Sequence, residues 1–263
     1  MPGSNPLAQF LPSFQQAELD HVFYYPSLDS TNMEAKRLRD QYPGQNVLIV
    51  AAEQTQGQGQ AGRSWDSRKD MGIWMSLLIQ NSDLLAHPLH LLSLYTGVIV
   101  QRSLQQFVDQ HIVLKWPNDI MVGGKKLGGI LTELQWSGAS PNSAIIGIGL
   151  NIQQQLKDFP TELQGEATSL AMANSQTLDR GVLISTLIDH FFANFHYQDE
   201  PDTVTQQWNA VAWQFHKEVT YQKGDELQTG VFLGVDVDGR ARMQKGSVVQ
   251  SYLTGEIRLD TTD

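Results

Sequence analysis

The apolar residues of this chain gather into runs of strand length, and that pattern constrains its fold more than any other feature. Val47-Leu-Ile-Val-Ala-Ala52 and Gly72-Ile-Trp-Met-Ser-Leu-Leu-Ile79 are short and rich in β-branched residues, with a polar, glycine-rich loop between them. His21-Val-Phe-Tyr-Tyr25 reads as a strand, and Asp29-Ser-Thr-Asn32 then offers cap residues ahead of a helix over residues 33–39. Ile112-Val-Leu114, residues 126–133 and residues 144–152 are three more strand candidates, separated by Gly-Gly and Ser-Gly/Pro turns that predict antiparallel pairing. Residues 88–107 read as a mostly buried helix, residues 177–197 as an amphipathic one and residues 201–208 as a short one. From Trp213 the pattern changes to short strands between turns such as Lys223-Gly-Asp225 and Val237-Asp-Gly239. The expected class is therefore α+β: a mixed or antiparallel sheet with helices over residues 1–212, and a small β-barrel over residues 213–263 that leans on it.

Charge narrows the function. Lys and Arg number 18 against 28 Asp and Glu, a formal net charge of −10. General attraction to nucleic acid or to an anionic membrane is thereby disfavoured, and any anionic ligand needs cations placed locally. The absence of cysteine removes disulfides, thiolate metal sites and cysteine nucleophiles together. The amino end has no charged lead-in with an apolar run behind it, so a soluble cytoplasmic protein is expected.

Three constellations carry chemistry. Gly57-Gln-Gly-Gln-Ala-Gly62 fits the dinucleotide pattern G-x-G-x-x-G, but Arg63-Ser-Trp-Asp-Ser-Arg-Lys leads into the strand at Ile73, whereas that pattern must open into a helix. Beside Arg63, Arg68 and Lys69 the glycines instead put backbone amides next to cations, which suits a phosphate; a plain surface loop is the alternative. Lys115-Trp-Pro-Asn-Asp119 packs a lysine, an amide and a carboxylate between apolar segments, a costly arrangement unless those groups act; otherwise it is a capped turn over a buried tryptophan. Gly123-Gly-Lys-Lys-Leu-Gly-Gly-Ile130 is a hairpin that delivers Lys126 into a strand bracketed by Gly128 and Gly129, where small residues let a ligand touch the backbone. His87-Pro-Leu-His90 lacks a matching carboxylate and reads as solvated helix-entry residues. No Gly-x-Ser-x-Gly turn is present.

Taken in order, Ser30-Thr-Asn32, residues 54–65, Lys115 to Asp119, Lys126 to Ile130 and Ile146-Gly-Ile-Gly-Leu-Asn151 resemble the successive motifs of a biotin protein ligase. The resemblance implies a catalytic domain related to class II aminoacyl-tRNA synthetases and a small SH3-like C-terminal barrel. It also implies ATP-dependent formation of biotinyl-5′-AMP and transfer of the biotinyl group to a lysine of a biotin carboxyl carrier domain, as of acetyl-CoA carboxylase. By that pattern Lys126, Asp119 and Arg63 are catalytic. Ser30, Thr31, Asn32, Gln54, Gly57, Gln58, Lys126, Gly128, Gly147 and Gly149 face biotin, and Gln60, Arg63, Trp65, Lys115, Asn118 and Asn151 face ATP or the adenylate. Asp119 sits near magnesium, Trp65 stacks on adenine, and Glu256 and Arg258 resemble a closing motif near the nucleotide. Elementary chemistry agrees, because a carboxylate acylates poorly until its oxygen becomes a leaving group, and two anions meet only where cations neutralise them.

Two departures stand out: Gln58 and Gln60 occupy positions where the pattern has arginine, and only about 20 residues precede the first strand, so a helix-turn-helix domain and DNA binding are not expected. A lipoate or octanoate ligase and a non-catalytic biotin-binding regulator are the competing readings. Edge strands leave a homodimer open.

Overall fold

A computed structural model describes residues 18–85, 89–138, 140–174, 178–195, 201–253 and 257–259. The strands β1 (His21–Tyr25), β2 (Val47–Ala51), β3 (Gly72–Ile79), β4 (Ile112–Lys115), β5 (Asp119–Val122), β6 (Lys125–Ser137) and β7 (Ser140–Asn151) form one sheet in the order β1-β2-β3-β7-β6-β5-β4. The β1–β2 pair is parallel and the others are antiparallel, so the sheet is mixed. The continuous apolar runs are explained by cover on both faces. On one face helix α1 (Thr31–Arg39) lays Ala35 and Leu38 against Val47, Ile49, Leu78 and Ile145. On the other, helices α2 (Leu92–Gln105) and α3 (Arg180–Ala193) pack Tyr95, Val98, Leu187 and Phe191 into the larger cluster with Leu48, Val50 and Ile73.

The last strands, β8 (Glu218–Lys223), β9 (Glu226–Val235), β10 (Ala241–Lys245), β11 (Val248–Tyr252) and β12 (Ile257–Leu259), make a second antiparallel sheet in the order β11-β10-β9-β8-β12, open among the described residues. Hydrogen bonds tie it to the first. The Leu114 amide donates to the Val211 carbonyl at 2.8 Å and the Trp213 amide to the Leu114 carbonyl at 2.7 Å, so residues 211–213 cover the outer edge of β4. Helix α4 (Pro201–Ala210) holds Val235 through both ends of the Asn209 amide, at 2.7 and 3.0 Å. Trp116 donates its indole N–H to the Gly239 carbonyl at 3.1 Å. Gly239 has φ +75°, and a Cβ there would come within 2.9 Å of Leu94, so the turn requires glycine on two counts.

Several boundaries move from their expected positions. The helix expected over residues 88–107 begins at Leu92 after a 3₁₀ turn over Leu89–Leu91, and His87 and Pro88 lie outside the described residues. The helix expected from residue 177 begins at Arg180, because the Asp179 carboxylate accepts from the Val182 amide at 3.0 Å and caps it there. Residues 177, 196 and 197 are outside the described set, as is Glu256. Strand β5 is an addition, four residues that pair with β4 and β6 directly after the Lys115–Asp119 turn. Among the described residues no helix is long and apolar enough to cross a membrane.

Candidate active site

A cavity of about 750 Å³ lies against the first sheet. Its walls come from the start of α1, the loop after β2, the turn between β4 and β5, the glycine-bearing stretches of β6 and β7, and residues 154–167, with Gln222 and Gly224 from the second sheet.

One wall is neutral and hydrogen-bonded. Gln54 accepts from both the amide and the hydroxyl of Thr31, at 2.8 and 3.1 Å, and donates to the Ser67 hydroxyl at 2.8 Å. Ser76, fully buried on β3, reaches the Thr31 hydroxyl at 2.7 Å and the side-chain Oδ1 of Asn32 at 2.6 Å. The Asn32 side-chain NH₂ donates to Glu133 Oε2 at 2.9 Å, and Lys36 closes on the other Glu133 oxygen at 2.7 Å. Gly147 makes room for this: a Cβ there would lie 2.3 Å from Asn32 Oδ1. Ser30 is buried at the helix entrance, its amide donating to Asp29 Oδ1 at 2.7 Å. Arg37 grips the same carboxylate and holds it below the usual carboxylate range. Nearby, burial and then the Glu34 carboxylate push the Tyr25 phenol up to about 12.

The opposite wall carries charge. The hairpin of β5 and β6 turns on Gly123 and Gly124, both at positive φ, and brings Lys126 Nζ to 2.5 Å from Asp119 Oδ1. The contact is ionic and lacks the alignment of a hydrogen bond. Both side chains are less than one-third exposed, so the pair is partly shielded from water. Lys115 is buried, its ammonium 5.7 Å from the Trp213 ring centroid. The Trp116–Pro117 bond is cis, and Asn118 locks the turn to β6, donating to the Ile130 carbonyl at 2.6 Å and accepting from its amide at 3.0 Å.

The glycine loop folds on itself. The Gly59 amide donates to the Arg63 carbonyl at 2.7 Å and the Trp65 amide to the Gly57 carbonyl at 2.8 Å, with Ala61 and Gly62 at positive φ. No helix follows, as expected. Arg63 is exposed, its Nε donating to the Gln60 carbonyl at 3.1 Å. Trp65 lies over the two strand glycines: a Cβ on Gly149 would meet its Nε1 at 2.8 Å, and one on Gly129 its ring at 3.6 Å. Lys126 Nζ stands 5.4 Å from the centroid of that ring, and the buried indole N–H has no partner.

Of the residues singled out in the sequence, Ser30, Thr31, Asn32, Gln54, Gln58, Gln60, Arg63, Trp65, Lys115, Asn118, Asp119, Lys126, Gly147, Gly149 and Asn151 all line the cavity. Gly57 and Gly128 do not. Their glycines serve backbone packing, since a Cβ would lie 2.4 Å from the Trp65 carbonyl at Gly57, and 2.6 Å from the Gly149 carbonyl at Gly128. Sequence reasoning missed Gln154, Phe159, Leu163, Glu166 and Ala167. They sit in a stretch without a motif: Gln154 is held by Asn151 and Ser169, and the rest approach the site where the Lys126 amide donates to the Glu166 carbonyl at 2.7 Å and the Thr168 amide to the Lys126 carbonyl at 2.9 Å. Gln222 and Gly224 were likewise unmarked.

Residues 24–151 match the model of the Biotin/lipoate A/B protein ligase family. The bifunctional ligase/repressor BirA of Bacillus subtilis (strain 168) is 32% identical over 241 residues, covering 91% of this chain and 74% of that protein. The chain belongs to the biotin/lipoate protein ligase family. A biotin–[acetyl-CoA-carboxylase] ligase of Paracoccus denitrificans is 29% identical over 230 residues, 80% of this chain and 89% of that one. Among solved structures, the biotin protein ligase from Aquifex aeolicus in complex with biotin and ATP superposes with a TM-score of 0.77 at 26% identity, covering 92% of this chain and 99% of that one. Every motif from Ser30 to Asn151 falls inside the segment matched to the biotin/lipoate ligase family.

Proposed function

We propose that this protein is a biotin–[biotin carboxyl carrier protein] ligase. It joins the biotin carboxylate to the α-phosphorus of ATP with loss of pyrophosphate, then passes the biotinyl group from biotinyl-5′-AMP to a carrier lysine with loss of AMP. The observation that carries this reading is one cavity with two unlike walls: a neutral network of Thr31, Asn32, Gln54 and Ser76, and the Lys126–Asp119 pair. Relatives named as biotin ligases support it.

The neutral wall suits a ureido ring, which has N–H donors and a carbonyl acceptor but no charge. Lys126 is placed to neutralise the biotin carboxylate and the developing charge at the α-phosphate, the kind of contact that strengthens as the reaction proceeds. Asp119 holds the Lys126 ammonium in position and is a carboxylate toward which an incoming carrier lysine can turn. Arg63 and Lys115 add the positive charge that a triphosphate requires in a protein of net charge −10. Magnesium belongs here with ATP: such ions are held by one or two carboxylates plus substrate phosphates, and Asp119 fits that description. Among the described residues no three His, Cys, Asp or Glu side chains gather to hold a metal unaided.

The wall chemistry also speaks against a lipoate or octanoate ligase, whose acyl tails offer no partners for the neutral polar side chains of Thr31, Asn32 and Gln54 that line the cavity. The same proposal includes a synthetase-like catalytic unit over residues 1–212, closure of the second sheet as an SH3-like barrel over residues 213–263, and a cytoplasmic setting, where ATP and carrier domains meet. Its support is the short antiparallel strands of that sheet and the ATP chemistry. Pyrophosphate exchange into ATP tests the proposal: exchange dependent on biotin, and not on lipoate or octanoate, is expected, and exchange with lipoate or octanoate in place of biotin overturns it.

A further inference from the structure

Gln154 has a feature that the proposed chemistry has not used. It is 4% exposed, lines the cavity, and its Oε1 is buried without a hydrogen-bond partner. Leaving a buried acceptor unpaired is costly, so a donor is expected to meet it when the site is filled.

The orientation of this amide follows from its neighbours. The Thr168 carbonyl can only accept, so the Asn151 side chain must present its NH₂ there, at 3.0 Å. Asn151 Oδ1 is thereby turned toward Gln154, which must answer with its own NH₂, at 3.1 Å. Flipping Gln154 would set two carbonyl oxygens against each other. The backbone is held too, because buried Ser169 donates its hydroxyl to the Gln154 carbonyl at 2.6 Å. What remains is a fixed acceptor on a residue that lines the cavity together with the apolar side chains of Phe159, Leu163 and Ala167. A flat heteroaromatic ring with an N–H on its edge matches that combination.

Building on the ligase reading above, we propose that Gln154 Oε1 accepts a hydrogen bond from the exocyclic amine of the nucleobase, making Gln154 a specificity residue that selects an adenine nucleotide. The Asn151–Thr168 relay sets its direction. A site built to satisfy a ligand donor rejects the analogue that lacks it, because the acceptor is then stranded.

The test is biotin-dependent pyrophosphate exchange with ATP and with purine riboside 5′-triphosphate, which is ATP without the amine, on the intact protein and on Gln154→Met. In the unmodified protein the KM for ATP should lie about tenfold below that for the analogue. In the variant the KM for ATP should rise to meet the analogue's, whose own KM stays put. Equal KM values in the unmodified protein overturn the assignment before any variant is made. A parallel rise of both KM values in Gln154→Met also overturns it, since Gln154 would then only prop Asn151. Absence of any biotin-dependent exchange in the unmodified protein brings down the ligase reading, and this inference with it.

Discussion

Replacing Gly147 by alanine tests the neutral wall at its tightest point. The new Cβ would sit 2.3 Å from Asn32 Oδ1 and 3.1 Å from its Cγ, about an ångström inside ordinary contact, and Asn32 must give way. Asn32 is not free to do so without loss. It holds Ser76 at 2.6 Å and Glu133 at 2.9 Å, and a shift of that size breaks both bonds. One neutral hydrogen bond and one to a charged partner together are worth about 2–4 kcal/mol. If half of that is recovered by a new Asn32 rotamer, biotin binding should still weaken by roughly 5- to 30-fold, at about 1.4 kcal/mol per factor of ten. The assay is the KM for biotin in pyrophosphate exchange, with thermal unfolding alongside. Gly165→Ala is the control, because a Cβ there meets nothing within 4 Å. A Gly147→Ala protein with an unchanged KM for biotin would refute the assignment of Asn32 and its neighbours to the biotin wall.

Lys126→Ala should lower the adenylation rate by about 100-fold or more while leaving the fold intact, measured by exchange and circular dichroism, and an unchanged rate would remove Lys126 from the chemistry. Gln60→Arg supplies a cation where the family pattern has one; preformed adenylate should then leave roughly tenfold more slowly, and an equal release rate would show that the missing charge does not govern retention. Asp29 has its carboxyl held below the ordinary value by Arg37, so its stabilisation is fully present above about pH 4 and disappears as the pH falls through the lowered folded value. The melting temperature of the unmodified protein should therefore exceed that of Asp29→Asn at pH 7 and converge with it in acid. A gap that does not narrow as the pH falls below about 4 would contradict this.

Much of the site was legible because its chemistry is local in sequence. The Gly123-Gly124 hairpin specifies its own turn and pairs Lys126 with Met121, two residues after Asp119, so that the lysine side chain reaches the Asp119 carboxylate. The continuous apolar runs likewise mark β2 and β3 to within a residue, because strands covered on both faces need no alternation. Glycines were harder. Spacing alone does not say whether a missing side chain makes room for another side chain of the site, as Gly147 does for Asn32 and Gly149 for Trp65, or for a neighbouring backbone, as at Gly57 and Gly128. Residues 159–167 were invisible for a different reason, since backbone hydrogen bonds between Lys126 and residues 166 and 168 bring them in across some 40 residues, and Gln154 is placed by Asn151 and Ser169. Strand β5 is too short to announce itself, and Ser76 reads only as one polar residue in an apolar strand until Thr31 and Asn32 are placed beside it.

The central claim is that this cavity captures biotin as a mixed anhydride with AMP and hands it on to a protein amine. Incubation of the protein with biotin, ATP, magnesium and an apo carrier domain, followed by the intact mass of the carrier, tests it most directly. The carrier should gain one biotinyl group, and only when ATP is present. A carrier of unchanged mass after prolonged incubation would contradict the account.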